Sequence, residues 1–493
     1  MFDTIVLSLY LISLLALGFF GLHKYFLLLT YQKYKKRALP EPPEVQDWPE
    51  VTVQLPVYNE RYVIKRLLKT AVNLDYPRER LHVQVLDDST DGSERLAARL
   101  VKRLQEQGFR IEHLRRRERR GFKAGALAQG LERSGAEYLA IFDADFVPPG
   151  DFLKKTIPYL AQPGVGMVQA RWGHLNRNYS LLTRLQAIFL DAHFIIEHLA
   201  RNRSGRFFNF NGTAGVWRRQ AIIEAGGWQH DTLTEDLDLS YRAQLAGWKF
   251  IYLPEVVAPA ELPGEMNAYK NQQHRWAKGA VQTALKLIPH IWRSKFPFRV
   301  RLEATIHLSN NFTYLLMAVP ALLLAPVVKA QLHFGETPRQ LLLLYLLVFL
   351  FATLSVIFYY AAAIRESRGK LWPHILYVPL VMALGVGLSL NNGRAALEAL
   401  FRRPGEFRRT PKFRLEGQKG SWRGKRYRPQ RTYQHFFELL IAGYFTCGSL
   451  YFLTQEVYYS LPFFLLFQGG FYYTGLSSLL HRFTPALSFR GKH

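Results

Sequence analysis

Acidic residues follow two apolar stretches of the chain at the point where each stretch ends. Asp88 follows residues 81–86 after one intervening aspartate, and the sequence Asp143-Ala144-Asp145 follows residues 138–142 directly. One such aspartate often does no more than begin a turn. Two clusters at neighbouring strand ends, one with Asp-x-Asp spacing, indicate instead carboxylates that approach one divalent cation and the oxygens of a nucleotide diphosphate.

A third acidic cluster, Thr234-Glu235-Asp236, stands before a helical pattern. Capping of that helix would explain Thr234 and Asp236 without any catalysis. The chemical alternative makes Asp236 a general base, which removes the proton from an acceptor hydroxyl while that hydroxyl attacks an anomeric carbon. The residues of this cluster alone leave both interpretations open.

The pentapeptide 272–276 carries Gln272, Arg275 and Trp276 at a spacing that places them on one face of a helix. Arg275 is suited to phosphate oxygens, and Trp276 offers a flat surface for a sugar ring. The plain alternative is a helix that packs its tryptophan into a core.

The elements that position these residues can be predicted from the alternation of strand and helix patterns. Strands are expected at 51–57, 81–86 and 138–142, and helices near 61–73 and 93–107. This alternation predicts an α/β domain with a mostly parallel sheet. Because ligands bind beyond the carboxyl ends of such strands, the first two acidic clusters should meet at one edge of the sheet.

Apolar blocks flank this region on both sides. Residues 4–22 contain no charged side chain and are followed by a basic run at 33–37 without a small-residue cleavage site, which favours a retained anchor over a signal peptide. Most of the later blocks approach or exceed the roughly 20 residues that cross a bilayer as a helix. They lie at 304–328, 341–364, 371–393, 439–455 and 457–480.

The net charge of +26 is concentrated beside the apolar blocks. Residues 391–432 hold 13 Lys and Arg against 3 Glu, a net charge of +10, which indicates a cytoplasmic loop rather than a nucleic-acid surface. A crossing by residues 371–393 would put that loop outside, so residues 371–400 are expected to lie along the cytoplasmic interface. The single cysteine, Cys447, excludes an intramolecular disulfide framework and a cysteine-only metal site.

The pattern therefore predicts a cytoplasmic α/β domain held between five membrane spans. The predicted order is an N-terminal anchor at 1–40, the α/β domain at 41–279, an interfacial helix at 280–303, two spans at 304–364, an interfacial helix and basic loop at 365–432, and two spans with a cytoplasmic tail at 433–493.

In this order, the motifs resemble those of the processive family 2 glycosyltransferases, the cellulose-synthase-like group. Each motif is weak alone, but the series is specific and the resemblance covers nearly the whole chain. Residues 168–172 and 210–217 resemble plant mannan and xyloglucan-backbone synthases more than cellulose synthases proper. The motifs of the series are Asp88, Asp143-Ala144-Asp145, Thr234-Glu235-Asp236 and the Gln-x-x-Arg-Trp signature at Gln272, Arg275 and Trp276.

The resemblance implies a GT-A catalytic fold and a role for each matched residue. Asp236 would be the catalytic base, and Asp143 and Asp145 would hold Mg²⁺ or Mn²⁺. The nucleotide-sugar donor would be bound by Asp88, Lys123, Asp143, Gln272 and Arg275. The acceptor would be bound by Trp276, Glu235, Asn211, Gly212 and Thr213.

In the basic loop, Phe407, Thr410 and Lys412 have the spacing of the gating-loop motif of cellulose synthases. The resemblance implies that this loop closes over the donor. Arg409 departs from the motif, because an apolar residue is usual at its position. The alternative is a polybasic segment attracted only to anionic lipid headgroups.

The implied activity is inverting, processive transfer of a hexose from UDP-glucose or GDP-mannose to the non-reducing end of a β-linked, β-1,4 polysaccharide, with export through the spans. A synthase that glycosylates diacylglycerol or a sphingolipid carries similar motifs and stays open as the alternative. A tunnel lined by polar and aromatic side chains that continues from Trp276 would favour the polymer. The expected setting is the plasma membrane of a bacterium, with membrane lipids around the spans and no nucleic-acid partner; the oligomeric state cannot be predicted.

Overall fold

The computed structural model describes residues 2–333, 339–403, 405, 409–427, 433–456, 458 and 461–483. Within these residues, seven strands form one sheet, and the three strands expected from the sequence are among them. The strands are β1 (Val51–Val57), β2 (Leu81–Asp87), β3 (Ile111–Arg115), β4 (Tyr138–Ile141), β5 (Val165–His174), β6 (Gly215–Arg218) and β7 (Lys249–Ala260).

The sheet has the order β3-β2-β1-β4-β6-β5-β7 and is mostly parallel, as predicted. β1 pairs in parallel with β2 and β4, and β5 pairs in parallel with β7, whereas β6 runs antiparallel to both of its neighbours. The central strands are buried on both faces, and the buried amides of β1 and β2 bond to each other, because Gln54 Nε2 donates to Gln84 Oε1 at 3.0 Å. Since β1, β2 and β4 point the same way, the residues that follow them meet at one edge.

Helices cover both faces of the sheet and continue beyond it. The helices of the α/β domain are α2 (Ile64–Val72), α3 (Ser93–Glu106), α4 (Phe122–Arg133), α5 (Phe152–Leu160), α6 (Leu181–Asp191), α7 (Leu199–Arg203), α8 (Arg219–Glu224) and α9 (Glu235–Leu245), with a π-helix, Ala192–His198, between α6 and α7. The remaining helices are α1 (Phe2–Tyr34), α10 (Met266–Arg293), α11 (Phe298–Ser309), α12 (Phe312–His333), α13 (Arg339–Arg368), α14 (Tyr377–Gly387), α15 (Ser389–Leu400), α16 (Gln434–Thr454) and α17 (Leu461–Phe483).

Several of these helices are apolar enough to cross a bilayer, which indicates association with a membrane. Among the described residues, three single helices qualify by length and composition, within α1, α13 and α16, and two bent pairs would raise the number to five. One pair joins α11 to α12 across a 56° bend, and the other joins residues 372–387 to α15 across a 42° bend. The second pair is the segment that the charge pattern predicts to lie along the interface. The number of spans and the domain boundaries therefore stay predictions.

The C-terminal helix α17 is not among the three single helices that qualify as spans, although the sequence predicts a span there. Polar side chains on its buried face have partners in α10: Ser478 Oγ accepts a hydrogen bond from Lys270 Nζ at 2.6 Å. The same ammonium group lies 2.5 Å from Glu438 Oε2 of α16. α10 therefore connects the α/β domain to the last two helices through a buried ion pair.

α14 and α17 approach closely at Gly387 of α14 and Gly470 of α17. A Cβ atom at Gly470 would lie 2.2 Å from the carbonyl oxygen of Ala383, whereas one at the adjacent Gly469 would have no neighbour within 4 Å. Small residues allow such close approach of apolar helices.

We predict that Gly470→Ala lowers the thermal stability of the purified protein, because overpacking of this kind costs about 1–3 kcal/mol. Gly469→Ala is the matched control, since it makes the same change one position away without a clash. Melting curves of both variants in one detergent measure the difference. Equal melting temperatures for the two variants would show that the helices are not packed as described.

Candidate active site

The carboxyl ends of β1, β2 and β4 open into a cavity of about 170 Å³. Thr213 lies beneath it, fully buried, and its hydroxyl accepts a hydrogen bond from the backbone N–H of Asp143 at 2.9 Å. Phe407 lies outside the described residues. The other residues singled out in the sequence line the cavity together: Asp88, Lys123, Asp143, Asp145, Asn211, Gly212, Glu235, Asp236, Gln272, Arg275, Trp276, Thr410 and Lys412.

Each carboxylate of the Asp-x-Asp pair faces an ammonium group. Lys123 Nζ donates to Asp143 Oδ1 at 2.6 Å, and Lys412 Nζ donates to Asp145 Oδ2 at 2.8 Å. Burial lowers the pKa of Lys123, but Asp143 and Glu235 more than offset this effect, so the pKa is raised. Asp143 and Asp145 are thus each paired with a lysine, one from α4 and one from the basic loop.

The same pair fits a divalent cation. Among the described residues, no group of three or more His, Cys, Asp or Glu side chains could hold a metal ion. A Mg²⁺-type site does not need one, because Mg²⁺ is commonly bound by one or two carboxylates together with substrate phosphates. Asp143 and Asp145 are the residues that would supply those carboxylates.

Asp88 is held by arginines from the loop after β3. Arg116 Nε donates to Asp88 Oδ1 at 2.9 Å, a second bond runs from Arg116 Nη2 to Asp88 Oδ2, and Arg119 Nε lies 4.0 Å from the same carboxylate. The Arg119 guanidinium carbon lies 3.5 Å from the centroid of the Tyr58 ring. Asp88, Arg119 and Tyr58 together form one end of the cavity.

Asp236 is in the first turn of α9, where Thr234 is the N-cap residue but makes no side-chain capping bond. The helix-cap interpretation therefore does not account for Thr234. Burial and the neighbouring Glu235 carboxylate raise the pKa of Asp236 to about 7, with Lys123 opposing them. A carboxyl group with such a pKa can accept a proton near neutral pH. The loop that carries Asn211 passes close by, because a Cβ on Gly212 would lie 2.8 Å from Asp236 Oδ2.

The helix α10 presents Gln272, Arg275 and Trp276 to the cavity, as the predicted helical spacing requires. The side chain of Trp276 is not part of a closed core. Its ring lies 6.5 Å from that of Trp172 at an angle of 55°. The two indoles form an aromatic wall of the cavity that Asp236 also lines.

A second cavity of about 300 Å³ continues from this wall toward the apolar helices. Asp236, Trp276, Trp172, Asn211 and Gln272 line both cavities. Aromatic and amide side chains form most of its further lining: Phe189, Tyr269, Tyr314, Tyr359, Tyr360, Gln186, Asn209, Gln273, Asn310 and Asn311. The rest of the lining is Leu190, Leu237, Ala280, Thr234, Lys24, His193, Glu197 and His307.

Residues 49–279 match the family model described as glycosyltransferase like family 2. This segment is therefore similar to the family 2 glycosyltransferases. The chain is 42% identical over 290 residues to glucomannan 4-beta-mannosyltransferase 2 of Arabidopsis thaliana, covering 57% of this chain and 54% of that protein. It is 43% identical over 290 residues to glucomannan 4-beta-mannosyltransferase 1 of Cyamopsis tetragonoloba, with 58% and 55% covered. The chain spans somewhat more than half the length of these curated relatives.

A solved structure of this fold matches at a TM-score of 0.56 and 23% identity, covering 81% of this chain and 100% of the other. It is the mannosyltransferase PcManGT from Pyrobaculum calidifontis in complex with GDP-Man and Mn²⁺. This likeness supports the expected GT-A type of α/β domain. The relatives agree with the resemblance to mannan-synthase-like proteins of the cellulose-synthase-like group that the motifs indicate.

Residues of the basic loop, Arg409, Thr410 and Lys412, line the first cavity. Arg409 donates to both oxygens of Glu60, from Nε at 2.8 Å and from Nη2 at 2.9 Å. The backbone N–H of Phe413 donates to Glu261 Oε1 at 2.8 Å. Together with the bond from Lys412 to Asp145, these contacts seat residues 409–413 against the α/β domain.

The sequence motifs missed several residues of the site. Arg116 and Arg119 are in a basic run that has no spacing signal, and Glu60 follows β1 in a loop. The π-helix before α7 could not be predicted either, because its residues have an ordinary helical pattern. Only the position of Glu60, just beyond the carboxyl end of a central strand, could have singled it out.

We predict that the Arg409–Glu60 ion pair limits how readily a reagent in solution reaches the buried residues of the loop. In a Cys447→Ser background, a cysteine substituted for the buried Thr410 should react slowly with a maleimide, and Arg409→Leu should speed that reaction about tenfold or more. Removing one partner of a buried ion pair costs on the order of 3–5 kcal/mol. Rates are normalised to those of the unfolded protein.

Arg423→Leu is the control, since Arg423 is an exposed arginine of the same loop. Acceleration by both substitutions, or by neither, would contradict the assignment of the pair as the contact that seats the loop.

Proposed function

We propose that this protein transfers mannose from GDP-mannose, with inversion, to the 4-hydroxyl at the non-reducing end of a β-linked mannan or glucomannan. The names of the curated relatives support the sugar and linkage. The donor nucleotide is supported by the complex in which PcManGT holds GDP-Man.

The observation that carries the proposal is that Asp236 and Trp276 lie where two cavities share a wall. The first cavity has the charged groups that a nucleoside diphosphate requires. The second has the aromatic and amide groups that a glycan requires. A residue common to both can act on an acceptor hydroxyl and a donor sugar at once.

In the proposed reaction, Trp276 stacks on the terminal acceptor sugar and Asp236 accepts the proton of its 4-hydroxyl. That oxygen forms a bond to the anomeric carbon of the donor, while the bond from this carbon to the β-phosphate oxygen breaks. The electron pair leaves with the nucleoside diphosphate. Arg275 and Lys123 bind the phosphate oxygens and stabilise the leaving charge.

Asp143 and Asp145 would hold a divalent cation, which when bound neutralises charge on the diphosphate leaving group. Asp88 and Arg119 would contact the nucleoside, at the end of the cavity away from Trp276. The seated loop, with Thr410 and Lys412 in the cavity wall, would exclude water from the donor.

The lining of the second cavity supports a glycan acceptor over a lipid. Sugar rings stack their C–H faces on aromatic side chains and bond their hydroxyls to amides, whereas an acyl chain requires aliphatic walls. The cavity is bounded by helices of the apolar region, including α12 and α13, so a growing glycan would pass among the spans. This arrangement supports export coupled to synthesis.

We infer that the α/β domain faces the cytoplasm, where nucleotide sugars are available, and that the net charge of residues 391–432 keeps the basic loop on that side. The curated relatives named above are plant proteins, so they lend no support to the expected bacterial plasma membrane.

The test is to incubate the full chain in nanodiscs with radiolabelled GDP-mannose or UDP-glucose and β-1,4-mannotetraose. The proposal expects a product from GDP-mannose that β-1,4-mannanase digests. A product only from UDP-glucose, or label only in lipid extracts, would overturn it.

We predict that Asp236→Asn slows transfer by about 10²–10⁴, the usual contribution of a general base, and leaves GDP binding unchanged. The wild-type rate should rise with pH through a midpoint near 7, because the base must be deprotonated and its pKa is raised to about 7. Initial rates from pH 5.5 to 8.5 measure this. A comparable rate in the variant would remove Asp236 from the role.

We predict that transfer requires Mg²⁺ or Mn²⁺ and is lost in excess EDTA. The reason is that two carboxylates of one Asp-x-Asp pair face the site of the diphosphate. Restoration by either metal, measured by initial rates, is the control for damage by the chelator. Full activity in EDTA would leave the leaving-group charge to Arg275 and the lysines alone.

A further inference from the structure

A charged side chain of the N-terminal helix lines the second cavity. Lys24 is within a candidate span, Ile5–Tyr34, where a charge is costly unless it has a partner or a function. Its Nζ donates to Glu197 Oε1 at 2.8 Å and lies 4.1 Å from the centroid of the Tyr359 ring. An ammonium group has three N–H donors, so this pair does not exhaust its capacity.

Glu197, in contrast, has both oxygens occupied. Tyr359 Oη donates to Oε1 at 2.6 Å, and Arg201 Nη1 donates to Oε2 at 2.9 Å. Burial raises the pKa of Glu197, but Lys24 and Arg201 outweigh it and hold the pKa well below its usual range. Glu197 thus fixes the position of Lys24 and is itself not available for a ligand.

The π-helix brings a second polar side chain, that of His193, to the lining of the second cavity. His193 lies one π turn before His198, and their rings are 4.2 Å apart. His193 Nδ1 is 3.5 Å from Glu197 Oε2, and its Nε2 is 3.0 Å from Asn211 Nδ2. π-Helical turns often occur at functional sites. Asn211 belongs to both cavities, so this cluster adjoins the reacting end of the acceptor.

We propose that Lys24 and His193 form a subsite for the neutral acceptor glycan, behind the terminal sugar that Trp276 holds. Lys24 donates to ring hydroxyls there, and the Tyr359 face packs against the sugar. The first membrane helix is then part of acceptor recognition and not only an anchor. The inference rests on the proposed function and deepens it.

The test compares Lys24→Met with Lys35→Met in the full chain, in nanodiscs, with GDP-mannose and β-1,4-mannotetraose. Lys35, in the turn directly after the same helix, is the matched control, because its ammonium group has similar partners. Its Nζ lies 3.0 Å from Glu366 Oε1 and 5.4 Å from the centroid of the Tyr31 ring, but it does not line the cavity. Lys24→Met should raise the KM for the tetraose about tenfold, the effect of losing one hydrogen bond to a charged group. The KM for GDP-mannose and the slow hydrolysis of GDP-mannose should not change.

A purely structural role for Lys24, which would be to neutralise Glu197, makes a different prediction. The double variant Lys24→Met/Glu197→Gln removes both charges, so a structural role expects its tetraose KM to return to the wild-type value. The subsite expects it to stay raised. This charge-balanced variant also carries the test if Lys24→Met alone does not fold.

The outcomes separate the two proposals. An unchanged tetraose KM in Lys24→Met, or its recovery in the double variant, overturns the subsite and leaves the transfer reaction intact. A wild-type protein that transfers no hexose to the tetraose from either nucleotide sugar overturns the proposed function itself.

Discussion

The site depends on neutralising the carboxylates that the sheet gathers at one edge. Parallel strands bring Asp88, Asp143 and Asp145 to the same cavity, where neighbouring negative charges repel one another unless cations offset them. The cations come from separate parts of the chain: Arg116 from the loop after β3, Lys123 from α4, and Lys412 from the basic loop. The same ammonium and guanidinium groups are those that a diphosphate would attract. In the proposed function, the groups that neutralise these carboxylates are therefore also the groups that would bind the donor.

Asp236 is not one of these strand-end carboxylates, and its surroundings explain why its pKa is raised. Its side chain is partly buried and lies beside the adjacent Glu235, so repulsion and burial raise its pKa in the same direction. Lys123, which opposes them, is already engaged by Asp143 and the carbonyl oxygen of Gly212. The carboxyl group of Asp236 therefore binds a proton near neutral pH, which is the property that its proposed role as general base requires.

The local part of this arrangement could be predicted from the sequence. The strand β1 was predicted with its observed bounds, because a run of β-branched and apolar residues between turn signals has few alternatives. The shared helical face of Gln272, Arg275 and Trp276 also follows from their spacing, but the sequence divides this region at 279/280, whereas α10 is one helix, Met266–Arg293. The meeting of the acids at the strand ends follows from the parallel topology. The pairs Arg409–Glu60 and Lys412–Asp145 could not be predicted, since hundreds of residues separate the partners and pairing over such distances leaves no local pattern. Lys24 was missed for a similar reason: its partner, Glu197, is on a π-helix that only the tertiary fold stabilises.

The departure of Arg409 from the gating motif has a physical meaning in the structure. An apolar residue there would seat the loop by burial, which weakens gradually as the loop lifts. A two-bond ion pair with Glu60 behaves differently, because half-separated charges in a buried site are worse than either the paired or the fully solvated state. The pKa of Glu60, raised to about 7 by burial against the pull of Arg409, shows that this site desolvates charge strongly. Such a contact favours two discrete loop positions over a continuum, which is the property that a loop needs if it is to open for one donor and close for the next.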